Sequence, residues 1–171
     1  MRYADGPTVE VTRRIAAAPD AVWLLASDIN LPARFSSEFA GAEWVGGAQG
    51  VAVGACFEGH NQHDAIGSWT TTSTIVECDP GRRLAWSVGD VDNPSATWRF
   101  DLEPDDDGTV LTFTARIGPG PSGLTPAIEA MPDKEERIID RRLAEFRRNM
   151  EATLDGIAAI AGGERCAPPS N

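Results

Sequence analysis

A chain of 171 residues is the size of one domain, long enough to bury roughly two thirds of its unfolded surface and to carry both a core and an internal pocket. Its 15 Lys and Arg stand against 26 Asp and Glu, a net charge of −11 with no concentrated basic face, which argues against nucleic acid and anionic membranes as partners. No stretch approaches the ~20 apolar residues of a spanning helix and the N-terminus has no apolar run for a signal peptide, so no membrane insertion is expected and the expected location is cytoplasmic.

Residues 1–8 lack apolar periodicity and read as a flexible lead; residues 162–171, GGERCAPPSN, read as a disordered tail. Between them, 9–161 reads as a single domain, undivided by any repeat, low-complexity tract or linker. Val9 to Ile15 alternates apolar and polar as a half-buried strand does. Val9, Val11 and Ile15 share a face with Arg13, which is therefore expected to point inward. The period then changes. Pro19 suits a first helical turn, Asp20 places negative charge there, and Val22, Trp23 and Ala26 are spaced for a helix face. A second short helix is expected over Pro32 to Phe39, bringing Phe35 and Phe39 to one face.

Strands follow near Ala42–Val45, Gly54–Gln62, Gly67–Cys78, Arg83–Val88, Ala96–Glu103 and Thr109–Ile117. Between them stand GGAQG, DAIG, DPGRR, GDVDNPS and PDDDG, rich in turn residues, and such short connections make an antiparallel meander. Trp98, Phe100 and Leu102 alternate with Thr97, Arg99 and Asp101, while Leu111, Phe113 and Ala115 alternate with Thr112, Thr114 and Arg116. That is the pattern of a sheet covered on one face. After GPGPSG, apolar residues at Ile128, Met131, Ile138, Leu143, Phe146, Met150, Leu154, Ile157 and Ala161 predict one long helix from about Leu124 to Ala161. Pro132 marks either an early kink or the true start. The expected fold class is α+β: about seven antiparallel strands in a curved sheet around a long C-terminal helix, with two short helices after the first strand.

Three segments carry a resemblance: VEVTRRIAAAPDAVWLLASDI, GVAVGACFEGHNQHDAIGSWTTTSTIVECDPGRRLAW and RRLAEFRRNMEATLDGIAAIA. In them the chain resembles the START-like (SRPBCC) superfamily, which includes the polyketide cyclase/dehydrase and lipid transport family, the plant pollen-allergen group and the aromatase/cyclase subunits. The resemblance spans about Val9 to Ala161. It implies a helix-grip fold and a cavity between sheet and long helix that in relatives holds lipids, sterols, aromatic polyketides or other apolar molecules. None of these segments is a catalytic signature, so the catalytic residues stay unassigned.

Strand parity nominates the cavity lining. With Phe57 inward, Gly59 and Asn61 also face inward, and Glu58 and His60 face out. Asn61 either anchors a ligand carbonyl or hydroxyl or caps the turn at DAIG. Trp69, Thr71, Ser73 and Ile75 share a face that is either a wall of mixed polarity or a plain product of β-propensity. Trp86, Trp98, Phe113, Phe35 and Phe39 form an aromatic lining or simply core. Met131 and Phe146 extend the lining onto the long helix. Glu135 and Arg142, about two turns apart, are candidates for a proton acceptor and an anchor for an enolate or carboxylate; the alternative is long side chains reaching water from the edge of the apolar stripe.

No metal and no cofactor are expected. His60 and His63, the only histidines, lack helical spacing for a ligand pair. Cys56, Cys78 and Cys166 are odd in number and show no C-x-x-C spacing, so neither a disulfide framework nor a zinc site is expected. The acidic run Glu103–Gly108 lacks the spacing of a calcium loop and reads as a solvated turn. Without a G-x-S-x-G elbow, serine-hydrolase chemistry is not expected. The expected function is binding of a small hydrophobic or aromatic molecule, lipid- or polyketide-like, by a monomer or homodimer. One alternative is an aromatase/cyclase-type enzyme that works by positioning and water exclusion. The third is an interaction or stress-related module, which would show a contiguous apolar patch on its outer face.

Overall fold

A computed structural model of the chain describes residues 1–163. Most of the expected tail, with Cys166, lies outside the described residues; Gly162 and Gly163 are the last residues of the long helix. The first strand, β1, spans Thr8–Ile15, with Val9, Val11 and Ile15 buried at alternate positions. Helix α1, Pro19–Ala26, starts on its proline and buries Val22 and Ala26, one turn apart.

The expected second helix is shorter than its pattern suggests. Only Leu31–Arg34 forms a 3-10 turn, and strand β2 begins already at Phe39 and runs to Val45. The Ser36 hydroxyl oxygen explains the stop: it accepts from the backbone N–H of Glu38 at 3.1 Å and of Phe39 at 2.9 Å, turn chemistry that competes with a helix. Phe35 and Phe39 therefore do not share a helix face.

The meander continues through β3 (Cys56–His63), β4 (Gly67–Asp79), β5 (Arg83–Val88), β6 (Ala96–Asp105) and β7 (Gly108–Ile117). All pairings are antiparallel, in the order β1-β7-β6-β5-β4-β3-β2, so β1 returns beside β7 and the curved sheet stays open between β1 and β2. Its outer face is polar: the hydroxyls of Thr12 and Thr112 meet at 3.0 Å, and Arg83 and Arg99 both donate to Asp101 at 2.6 Å.

The C-terminal helical run divides. Helix α2 covers Thr125–Ala130, Met131 leaves helical geometry at φ −139° and ψ 64°, Pro132–Lys134 make a 3-10 turn, and α3 runs from Glu135 to Gly163. Proline has no N–H to donate and disfavours helical backbone in the residue before it, which places the break at Met131. Helix α3 packs chiefly on β1 and α1, burying Ile139, Phe146, Met150, Leu154, Ile157 and Ala161. Ile139, rather than Ile138, carries the stripe there.

Two expectations about β1 and its lead take a different shape. Arg13 shares the parity of the buried positions, yet its guanidinium runs out between β1 and α3 to Asp155 at 2.8 Å and stays 37% exposed. An arginine at a sheet edge can bury its stem and keep its charge in water. In the stretch read as a flexible lead, Tyr3–Asp5 forms a 3-10 turn; the Tyr3 hydroxyl donates to the Gly120 carbonyl at 2.6 Å and its backbone N–H donates to Glu135 at 2.8 Å.

Candidate functional site

Between the concave face of the sheet and α3 lies a cavity of about 150 Å³. Period-two alternation sends Phe57, Gly59 and Asn61 from β3, and Thr71, Ser73 and Ile75 from β4, into one wall. Gly59 pairs with Thr71, and a Cβ there would lie 3.2 Å from both the Phe39 ring and the Thr71 hydroxyl oxygen. Having no side chain, Gly59 lets these two neighbours close over the same spot.

Strands β5 to β7 supply the aromatic floor: Leu84, Trp86 and Val88, then Trp98 and Phe100, then Phe113. The indoles of Trp86 and Trp98 stack 6.4 Å apart at 10°, and Phe100 stacks on Phe113 at 4.1 Å. Helix α3 closes the opposite side with Phe146, Asn149, Met150 and Thr153, and the Phe146 ring sits 4.8 Å from that of Trp98. The segment from Ala26 to Phe39 forms the remaining side, through Asp28, Ile29, Pro32, Ser36 and Glu38 among others.

The polar groups on these walls differ in what they already hold. The Thr153 hydroxyl donates to the Asn149 carbonyl at 2.8 Å, and the Asn149 side-chain oxygen accepts from the Ser37 N–H at 3.1 Å and the Ser37 hydroxyl at 3.0 Å. Ser73 is only 2% exposed, and among the described residues its hydroxyl has no hydrogen-bond partner. The hydroxyl of half-buried Thr71 likewise has no partner among the described residues. Asn61 makes one long contact, 3.5 Å to the Gly59 carbonyl. It does not cap the following turn; His63 does, its Nδ1 accepting from the Ala65 N–H at 3.1 Å.

At the edge of the cavity the chain builds a compact charge cluster. Arg142 donates from Nη2 and Nη1 to the two oxygens of Glu38 at 2.5 and 2.6 Å, and from Nη1 to Glu145 at 3.0 Å. The three side chains are 13%, 11% and 15% exposed. The guanidinium also lies 4.4 Å over the Phe146 ring. Burial opposes the charge on Glu145, but the hydrogen bond and positive charge of Arg142 outweigh it and hold the carboxylate below the ordinary glutamate range. Burial likewise opposes the charge on Arg142, and its bonds to Glu38 and Glu145 hold its pKa above the usual value. Glu38, His63 and Glu145 each offer a ligand atom within 4.8 Å of one another. The guanidinium occupies the carboxylates of that trio and supplies the positive charge a metal ion would bring, so the donor set fits an ion pair better than a metal.

Of the residues nominated by parity and spacing, Phe39, Phe57, Asn61, Thr71, Ser73, Trp86, Trp98, Phe113 and Phe146 come together around the cavity. Five others lie elsewhere. Phe35 packs against Gly156 of α3. Trp69 has the inward parity but sits off the cavity wall, toward the β3–β4 turn. Met131 is 38% exposed at the break before α3, and Glu135 holds the Tyr3 N–H. Arg142, nominated as a ligand anchor, has both terminal nitrogens committed to Glu38 and Glu145. Parity also reaches Leu84, Val88 and Phe100, and helix phase from Phe146 reaches Asn149, Met150 and Thr153. Glu38 and Ser36 carry no such signal, because their position depends on a turn that the periodicity obscured.

Among the described residues the large exposed apolar side chains are spread over different elements. Leu24 stands on α1, Val53, Ile66 and Val91 on three separate connections, Met1 at the N-terminus and Met131 at the break before α3. No helix among the described residues is long and apolar enough to cross a membrane.

The profile of the family described as polyketide cyclase / dehydrase and lipid transport matches residues 6–151. Among solved structures, a polyketide-cyclase-like protein from Corynebacterium glutamicum is 30% identical, with a TM-score of 0.65 over 92% of each chain. The di-domain ARO/CYC StfQ from the steffimycin biosynthetic pathway superposes with a TM-score of 0.68 at 19% identity, covering 91% of this chain and 50% of its own. This chain thus spans about half of that protein, and the likeness is one of fold. An AHSA1-like protein from Aeromonas hydrophila shares the fold at 16% identity, TM-score 0.63, over 96% of this chain and 100% of its own. A search of curated proteins finds no match.

Proposed function

The chain belongs to the polyketide cyclase / dehydrase and lipid transport family, and from that premise we propose that it binds one small, largely apolar molecule in the cavity between the sheet and α3. The observation that carries this reading is the cavity itself: about 150 Å³ of space walled by Phe57, Trp86, Trp98, Phe113 and Phe146. Close-packed cores leave few voids larger than a water molecule, and an apolar void of this size gains free energy when filled. An aromatic ring that loses ~200 Å² of accessible surface gains roughly 5 kcal/mol at ~25 cal/mol per Å², a Kd on the order of 0.2 mM. Calorimetric titration with toluene tests it: saturable one-site binding in that range is expected, and the absence of any saturable binding rejects the reading. A cytoplasmic monomer or homodimer belongs to the same proposal, and the unpaired thiols of Cys56 and Cys78 accord with a reducing compartment.

A second reading, an aromatase/cyclase-type enzyme, draws support from the family and from the Glu38 carboxylate and Asn61 amide on the cavity wall. Binding is the preferred reading for two reasons. Both Glu38 oxygens already accept from Arg142, and the cavity holds about one ring, less than a chain folding into several rings needs. Formation of a cyclised product from a linear polyketide-like chain, above the uncatalysed rate, would reverse that preference.

A further inference from the structure

Resting on the binding reading, we infer that the molecule is a neutral, single-ring aromatic bearing one hydroxyl or carbonyl: a phenol-type ligand, in preference to a carboxylate or a bare hydrocarbon. Three observations converge on this class. The first is size. A cavity near 150 Å³ lined by apolar side chains holds one benzene-sized ring, well below the ~300–1,000 Å³ of sites for larger ligands.

The second is a set of hydroxyls that open onto the cavity without a partner. Ser73 is 2% exposed and lines the cavity, and among the described residues neither its hydroxyl nor that of Thr71 has a partner. Asn61, on the neighbouring strand, spends its amide on one contact of 3.5 Å. Among the described residues no fully buried side-chain polar atom lacks a partner; these groups instead open onto the cavity, in a row along one wall of an otherwise aromatic space, where a ligand can reach them. A hydrocarbon would cover them without a bond in return. A ligand with one polar substituent, its ring against Trp86 and Trp98, meets the demand.

The third is charge. The lining contains the acids Asp28 and Glu38 and no Lys, Arg or His. Arg142, the nearby cation, is committed to Glu38 and Glu145. A carboxylate entering this space would be desolvated beside like charges with no free cation to receive it, which is costly.

Calorimetry on the full chain at pH 7 with phenol, toluene and benzoate, for the parent protein and for Ser73→Ala and Thr71→Val, decides the matter. Phenol is expected to bind at least tenfold more tightly than benzoate. Each substitution is expected to weaken phenol by about three- to tenfold, the worth of one hydrogen bond, and to move toluene by less than about twofold. Neither substitution removes a hydroxyl that holds the fold together, so melting temperatures should stay within a degree or two, and Thr71→Val gives an independent result should Ser73→Ala fold poorly. If toluene binds but the substitutions shift phenol no more than toluene, or if benzoate matches phenol, the ligand class is wrong while the cavity reading stands. If none of the three binds, the cavity reading itself fails and takes this inference with it.

Discussion

Replacing Arg142 by methionine keeps much of the side chain's apolar length and deletes its charge, leaving Glu38 and Glu145 facing each other at 11% and 15% exposure. Breaking a buried pair by removing one partner typically costs about 3–5 kcal/mol, because an uncompensated charge remains in a poorly solvated place. The cation over Phe146, 4.4 Å from its ring, adds about 0.5–2 kcal/mol to the loss, while water entering the edge of the cavity offsets part of it. We expect a net destabilisation of about 3 kcal/mol, seen as a lower urea midpoint and, for a domain of this size, a melting temperature lower by roughly 6–12 °C. Urea unfolding followed by tryptophan fluorescence measures it. The double substitution Arg142→Met with Glu38→Gln should recover at least ~0.5 kcal/mol of the loss, since one stranded carboxylate is gone. A single substitution within ~0.5 kcal/mol of the parent would show that the cluster is no more than a surface ion pair and that nothing holds the Ser36–Phe39 segment to α3 through charge.

The same cluster sets an acid limit. The folded-state pKa of Glu145 lies below its unfolded value, so its contribution to stability is fully present above the ordinary glutamate value near 4.5 and is lost as pH falls through the lowered folded value; urea midpoints should be flat from this source at neutral pH and fall on acidification, and Arg142→Met should abolish that component. A methyl group added at Gly156 would lie 2.4–2.5 Å from three atoms of the Phe35 ring. Gly156→Ala gains ~1 kcal/mol of helix propensity but forces the ring aside at ~1–3 kcal/mol, so amide hydrogen exchange over residues 31–39 should accelerate. Trp69→Ala should leave toluene affinity within about twofold, whereas Phe146→Ala, which removes a cavity wall and the ring beneath Arg142, should cost ~3 kcal/mol of stability and change that affinity measurably; equal effects on affinity would contradict the wall assignment.

Much of this architecture was legible in the residues. Alternation in β6 and β7 is strict because one face meets apolar neighbours and the other water, and the strand Arg83–Val88 emerged with its bounds intact. The same parity rule put Phe57, Asn61, Thr71 and Ser73 on one wall. It failed where local chemistry overrides periodicity. Phe35 and Phe39 have helical spacing, but the Ser36 hydroxyl ends the turn and sends the second ring into a strand. Trp69 has the right parity and the wrong height along the strand, which alternation alone does not report. Arg142 falls in helix phase with the apolar stripe, but its partner Glu38 lies 104 positions earlier in the chain, and no local pattern joins the two. Contacts of that range come from the closure of the fold.

The most direct measurement is an amide NMR titration of the full chain with toluene. Binding in the cavity predicts saturable shift changes that track one isotherm and cluster on β3 to β7 and α3 around Phe57, Ser73, Trp86, Trp98, Phe113 and Phe146, with the outer-face residues near Leu24, Val53 and Val91 still. No shift change up to saturating toluene, or changes gathered on the outer surface with the cavity residues unmoved, would contradict it.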